Sequence, residues 1–162
     1  MTGLVWERAF DLLMKNEGGY VNNPNDKGGK TKYGISKKAY PNEDIENLTL
    51  DRAREIYKRD YWNRCKCDYL PDALSVATFD FAVNSGVKTA IKHLQTSLGV
   101  KSDGIIGNQT LGAANRLSTS KVLNEYLNSR MNYLMSLKDW KHFGNGWGKR
   151  IERVRKFCED LC

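Results

Sequence analysis

The chain has 162 residues, of which 40% are hydrophobic and 28% are charged. This composition is typical of one globular domain, and it excludes a wholly disordered or low-complexity protein. No apolar run approaches the ~20 residues that a membrane-spanning helix needs. The formal net charge is +7, and residues 81–162 hold the whole excess, because residues 1–80 carry 13 basic and 13 acidic side chains.

This uneven charge predicts a surface that attracts a polyanionic partner. Nucleic acid, anionic lipid and an anionic cell wall are all such partners. The alternative is a basic face that only confers solubility. The N-terminus lacks a basic start followed by an apolar core, so it does not predict a secretory signal peptide. We therefore expect synthesis in the cytoplasm, with a separate route of release if the target lies outside.

The predicted elements are mostly helical. Apolar residues at helical spacing predict a first helix over residues 4–17, which Gly18-Gly19 ends. Residues 20–35 mix turn formers with β-prone residues, which predicts two short strands or an extended loop around a Gly-Gly turn.

Thr49 is predicted to cap a helix over about 50–62. Pro71-Asp72 opens a nearly all-apolar helix over about 72–84, which is typical of a buried central helix. Further apolar periodicities predict helices over three segments: 87–98, about 109–117 and about 121–138.

Glycines near the C-terminal end are predicted to interrupt the chain at Gly144-Asn-Gly146. A last helix is expected over about 147–161. Its apolar residues are assigned to the core, so its basic side chains are expected to be solvated: Lys149, Arg150, Arg153 and Lys156.

Four cysteines form two close pairs, Cys65 with Cys67 and Cys158 with Cys162. Neither pair has the spacing of common zinc sites, and no histidine is near either pair in sequence. A zinc site, disulfides between the tail and the Cys65 region, and free thiols therefore all stay open as alternatives.

Glu17 is the first candidate catalytic residue. It ends a helix, where the partial negative charge of the helix terminus disfavours an ionised carboxylate, so its pKa is expected to be raised if the side chain is also partly buried. A general acid that works near neutral pH needs such a pKa. The alternative is a surface glutamate beside an ordinary glycine cap.

Asp26 follows in the turn between the two candidate strands, where it can also be a simple turn former. If the strands fold back, Glu17 and Asp26 face each other across a cleft. Two carboxylates in different surroundings are the equipment of glycosidic bond cleavage. Thr31 on the return strand is a candidate for holding a water or a sugar hydroxyl.

Several other polar and aromatic residues are candidates for substrate binding. Asp80 and Asn84 lie one turn apart on the apolar central helix, so they either brace the hairpin segment or bind sugar groups. Three aromatic residues could stack on sugars or belong to the core: Tyr20, Tyr33 and Trp62.

Residues 17–35, Glu-Gly-Gly-Tyr-Val-Asn-Asn-Pro-Asn-Asp-Lys-Gly-Gly-Lys-Thr-Lys-Tyr-Gly-Ile, resemble the opening signature of the glycoside hydrolase family 108 muramidases. Residues 79–86 resemble the central helix of that family. Leu94-Gln95 and residues 103–110 resemble its C-terminal segment, which is related to a peptidoglycan-binding motif. The resemblance thus covers nearly the whole chain.

This resemblance implies a mainly α, lysozyme-like domain over residues 1–162, with a short β-hairpin or extended loop near the N-terminus. Residues 1–85 would carry the catalytic motif, and residues 86–162 would form a helical part with the peptidoglycan-binding-like segment. The implied reaction is cleavage of the β-1,4 bond between N-acetylmuramic acid and N-acetylglucosamine, without metal or cofactor.

The catalytic glutamate of the family falls on Glu17. The spacing from Glu17 to Asp26 is also similar to that of the lysozymes of T-even phages, in which a threonine completes the group. Thr31 follows Asp26 one residue sooner than in that pattern. Asp26 and Thr31 are therefore the implied partners of Glu17.

We expect a monomeric endolysin whose partner is bacterial peptidoglycan, with no role for nucleic acid. Its basic C-terminal helix would contact anionic outer-membrane or wall polymers. The alternative from another class is a non-catalytic module that holds peptidoglycan or assists secretion, because a motif is not by itself an activity.

Overall fold

The structure, a computed structural model, describes residues 2–16, 21–22 and 29–162. The predicted site residues Glu17, Tyr20 and Asp26 lie outside these residues. Helix α1 spans Thr2–Asn16 and buries one apolar face, close to the predicted helix over 4–17. In the described part of the chain, no helix combines the length and apolar character needed to cross a membrane.

Three short strands follow α1: β1 (Val21–Asn22), β2 (Lys30–Lys32) and β3 (Ile35–Ser36). They pair antiparallel in the order β1-β2-β3. The third strand was missed by the sequence prediction. It forms because Tyr33 and Gly34 both have positive φ, 53° and 79°, as a two-residue hairpin turn requires.

Helix α2 spans Leu50–Tyr57, and the predicted cap is confirmed, because the Thr49 hydroxyl accepts a hydrogen bond from the Arg52 amide at 3.1 Å. The predicted helix over 50–62 keeps its length but changes its hydrogen-bond pattern. Residues Lys58–Trp62 form a π-helical turn, in which the Asn63 amide donates to the Lys58 carbonyl at 2.8 Å.

Helix α3 (Asp72–Ser85) is the buried centre of the fold, as its nearly continuous apolar sequence predicted. It begins after Pro71, which cannot donate a backbone hydrogen bond and therefore suits a helix start. On one side of α3, Phe79 packs edge-on against Trp6 and Trp62 at ring distances of 5.3 and 5.7 Å.

The remaining helices surround α3. After a 3₁₀ turn at Cys67–Tyr69, the chain forms α3 and then four more helices in the described residues: α4 (Val87–Leu98), α5 (Asn108–Arg116), α6 (Thr119–Met135) and α7 (Trp140–Glu159). The prediction of a mainly α domain is thus confirmed, with each predicted helix present.

The predicted chain break at Gly144-Asn-Gly146 is wrong, because α7 runs through it without interruption. The reason is packing. The Trp140 ring lies directly against Gly144, where a Cβ atom would come within 2.7 Å of the indole. Gly144 therefore makes room for an aromatic side chain of the same helix, and the packing of α7 against α3 and α6 outweighs the low helix propensity of glycine.

A matched pair of alanine substitutions tests this continuous helix. Gly146→Ala meets open space and should stabilise the protein by about 0.5–1 kcal/mol, the usual gain in a helix interior. Gly144→Ala should lose that gain, because its methyl group collides with the Trp140 ring. Urea unfolding of both variants measures the difference. Equal effects of the two substitutions would contradict the packing described for α7.

Candidate active site

The predicted acid Glu17 follows directly after the last residue of α1. The side chain of that last residue, Asn16, makes two hydrogen bonds. Its Nδ2 donates to the Leu12 carbonyl at 3.2 Å, and its Oδ1 accepts a hydrogen bond from the guanidinium of Arg153 on α7. The end of α1, which precedes the predicted catalytic motif in the sequence, is therefore anchored to the C-terminal helix.

The hairpin holds two of the predicted site residues, Thr31 and Tyr33, and both are half-buried. Thr31 on β2 pairs with Val21 on β1 and with Ser36 on β3. The strand pairing thus brings Thr31 opposite the segment that follows Glu17 in the chain. Its role in holding a water or a hydroxyl stays a prediction.

Tyr33 sits at the turn between β2 and β3. Its carbonyl accepts a hydrogen bond from the Tyr57 hydroxyl at 2.7 Å, which fixes the turn to α2. The Lys32 ammonium lies 5.5 Å from the centre of the Tyr33 ring, a cation–π distance. The ring is partly accessible, so stacking of Tyr33 on a sugar stays a prediction.

Trp62, by contrast, is 1% exposed and belongs to the core, where it cannot stack on a sugar.

Asp80 lies in a buried ion-pair network, here called the Asp80 triad, with Arg130 and Arg150. Its Oδ2 accepts from Arg130 Nη1 at 2.8 Å and from Arg150 Nε at 3.0 Å, and its Oδ1 accepts from Arg150 Nη2 at 3.2 Å. The side chains of Asp80 and Arg130 are only 2% and 1% exposed. Asn84 also contributes, because its Oδ1 accepts from Arg130 Nη2 at 3.3 Å.

The electrostatics of the Asp80 triad follow from burial and charge. Burial raises the pKa of the Asp80 carboxyl, but the two guanidinium groups lower it by more, so the net pKa lies below its usual value. Asp80 is therefore ionised, and it joins α3 to α6 and α7. Substrate contact by Asp80 and Asn84 stays a prediction, and for Asp80 it would require Arg150 to release the carboxylate.

Arg130 is the member of the triad that sequence reasoning missed. The signal was present: Arg130 occupies a core-facing position of α6, between Leu127 and Leu134. A charge on a buried helix face needs a buried counter-charge, and Asp80 on the apolar α3 was the obvious candidate.

Arg150 was expected to be solvated, and this is wrong, because its side chain is 12% exposed and bound to Asp80.

The four cysteines are free thiols, so no disulfide joins the tail to the Cys65 region. Cys65, Cys67 and Cys158 are buried, and burial raises the pKa of the Cys67 and Cys158 thiols. Such thiols are poor nucleophiles and poor metal ligands. Among the described residues, no group of three or more His, Cys, Asp or Glu side chains could hold a metal ion.

Comparison with known proteins decides the family. Residues 10–86 match the family model Glycosyl hydrolase 108, and residues 89–152 match the model Predicted Peptidoglycan domain. The chain is also similar to the solved structure of SagA from Brucella abortus, with 35% identity over 96% of this chain and 94% of that one, and a TM-score of 0.87. A search of curated proteins finds no match.

The chain belongs to the glycosyl hydrolase 108 family. The resemblance inferred from residues 17–35 is thereby confirmed, as is the mainly α, lysozyme-like fold. As a member of this family, the protein is a glycoside hydrolase that acts on peptidoglycan. Peptidoglycan is accordingly its partner.

The segment that matches the peptidoglycan domain includes a turn whose residues resembled a binding motif. In this family member the turn is held by Gln95, which is buried. Its Nε2 donates to Asp103 Oδ1 at 3.0 Å and to Thr110 Oγ1 at 3.1 Å, and its Oε1 accepts from the Gly104 amide at 2.9 Å. These bonds give the Asp103–Thr110 segment a structural role in connecting α4 to α5.

Proposed function

We propose that the protein is an N-acetylmuramidase, a lysozyme of the endolysin type, which cleaves the β-1,4 bond between N-acetylmuramic acid and N-acetylglucosamine. The position of the Glu17 motif supports this proposal most strongly. Glu17 follows a helix end that Arg153 anchors, and the signature ends in a hairpin that Tyr57 anchors. Catalysis needs reacting groups carried by such rigid elements.

In the proposed reaction, Glu17 protonates the glycosidic oxygen as the bond to the muramic acid anomeric carbon breaks. Positive charge develops at that carbon and resembles an oxocarbenium ion. Asp26 either stabilises this charge or directs a water to it, and Thr31 holds a water or a sugar hydroxyl. These roles use acid–base groups of the chain itself.

The biological setting is also part of the proposal. The protein would be a bacteriophage endolysin, made in the host cytoplasm, that lyses the cell wall as a monomer after release. The excess positive charge of residues 81–162 supports attraction to anionic wall or outer-membrane polymers, and it serves no nucleic-acid partner. Such long-range attraction is screened over about 8 Å at physiological ionic strength.

The bond that is cleaved identifies the activity. Purified peptidoglycan is digested, and the products are reduced with borohydride. We expect new muramitol, because a muramidase leaves muramic acid at the reducing end. New glucosaminitol would instead identify a glucosaminidase, and new amino groups would identify an amidase or peptidase. Binding to walls with no new reducing ends would identify the non-catalytic module.

A further inference from the structure

Residues of α6 and α7 line a groove of about 650 Å³. We call it the α6–α7 groove. We call its partly buried apolar residues, Met131 and Trp140, the floor, and its exposed basic residues, Lys149, Arg153 and Lys156, the rim. The three basic residues are spaced four and three positions apart on α7, so they share one face of the helix.

The rim of the α6–α7 groove carries two lysines that have no acidic partner among the described residues. Lys149 and Lys156 are exposed, and within the described part of the chain neither makes an ion pair. Glu152 also lines the groove, but its carboxylate lies 3.5 Å from Arg155 Nε. The groove therefore offers cations to a ligand, beside an apolar and aromatic floor.

The α6–α7 groove also borders the end of α1, after which the predicted catalytic motif begins in the sequence. Arg153 lines the groove and donates to Asn16, the residue immediately before Glu17. If a strand is cleaved at Glu17, as proposed above, it binds beside this groove, because Glu17 is bonded to Asn16. Most of the groove residues lie within the segment 89–152 that matches the peptidoglycan domain.

We propose that the α6–α7 groove binds the stem peptide that hangs from the muramic acid unit of the strand being cleaved. This peptide carries free carboxylates, which fit the ammonium groups of Lys149 and Lys156, and methyl side chains, which fit the floor at Trp140 and Met131. The inference rests on the proposed muramidase function and adds a specificity determinant to it.

Two matched substrates test the inference. Soluble glycan strands that keep their stem peptides are compared with the same strands after an amidase has removed the peptides. We expect the wild-type protein to cleave peptide-bearing strands with a kcat/KM about tenfold higher, mainly through KM. Equal kcat/KM values on the two substrates would overturn the inference.

The double variant Lys149→Met with Lys156→Met removes the two free cations and keeps the length of the side chains. It should lose the preference for peptide-bearing strands and keep the wild-type kcat on peptide-free strands. The control variant Lys92→Met with Lys121→Met changes the net charge equally on exposed residues of α4 and α6, and it should keep the preference. Loss of the preference in both variants would indicate general attraction to an anionic polymer and overturn the inference.

A binding measurement separates this inference from the proposed function. Calorimetry compares N-acetylmuramyl tetrapeptide with N-acetylmuramic acid alone, using the Glu17→Gln variant. We expect tighter binding of the tetrapeptide, lost when Lys149 and Lys156 are also replaced. If the wild-type protein cleaves no strand but this pattern holds, the muramidase proposal fails and the stem-peptide site stands. Equal binding of the two ligands would overturn the site whatever the activity.

Discussion

The variant Glu17→Gln is expected to lyse cell walls more slowly by a factor on the order of a hundred or more. Glutamine keeps the shape of the side chain but has no proton to give to the glycosidic oxygen. Folding should be unharmed, because an ionised carboxylate gains nothing beside a helix C-terminus. Clearing of a suspension of purified walls measures the rate, and circular dichroism and thermal unfolding check the fold.

A matched control lies on the same helix. Glu7 of α1 forms an exposed ion pair with Arg54 at 3.1 Å, so Glu7→Gln makes the same chemical change away from the motif. That variant should lyse walls at nearly the wild-type rate. Near wild-type lysis by Glu17→Gln would remove Glu17 from the mechanism and favour an activity located elsewhere in the chain.

The second large effect concerns stability. Asp80→Asn should lower the free energy of unfolding by about 3–5 kcal/mol, because it leaves two arginines without their buried counter-charge. For a chain of this length, a loss of that size lowers Tm by about 10 °C. Urea unfolding at neutral pH measures the free energy, and calorimetry measures Tm.

The control for this prediction is Asp51→Asn. Asp51 also pairs with an arginine, Arg54 at 2.6 Å, but its side chain is 88% exposed. Solvent screens such a pair, so its loss should cost less than about 1 kcal/mol. If the two substitutions lowered the free energy of unfolding equally, the conclusion that the buried Asp80 triad stabilises the fold would be wrong.

The effect of Asp80 should also depend on pH in a defined direction. The folded-state pKa of Asp80 lies below its usual value, so the unfolded chain takes up a proton first as the pH falls. The stabilisation by Asp80 is therefore complete above the unfolded pKa of about 3.9 and decreases as the pH falls below it towards the folded pKa. The difference in unfolding free energy between wild type and Asp80→Asn should be constant from pH 6 to 8 and shrink below about pH 4.

The catalytic residues were proposed from the sequence because the family signature lies in one short stretch of chain, and their roles stay a prediction. Glu17, Asp26 and Thr31 lie within 15 consecutive residues, and their spacing and neighbours carry the family signature. Asp80 was recognised as a buried polar residue, because the helix around it is apolar. Its partners were not predicted, because Arg130 and Arg150 lie 50 and 70 residues away in the chain.

Most of the helices and the Thr49 cap were determined by the sequence alone. The period of the apolar residues, the Thr49 cap and the start after Pro71 are local properties, since they involve hydrogen bonds and contacts only a few residues apart. Tertiary structure decided the rest. It keeps α7 helical through Gly144, joins Asp80 to two distant arginines and opens the α6–α7 groove. The ion pairs of Asp80 and the packing of α7 against α3 and α6 bring side chains from far apart in the chain into one low-dielectric, close-packed volume, which local pattern does not encode.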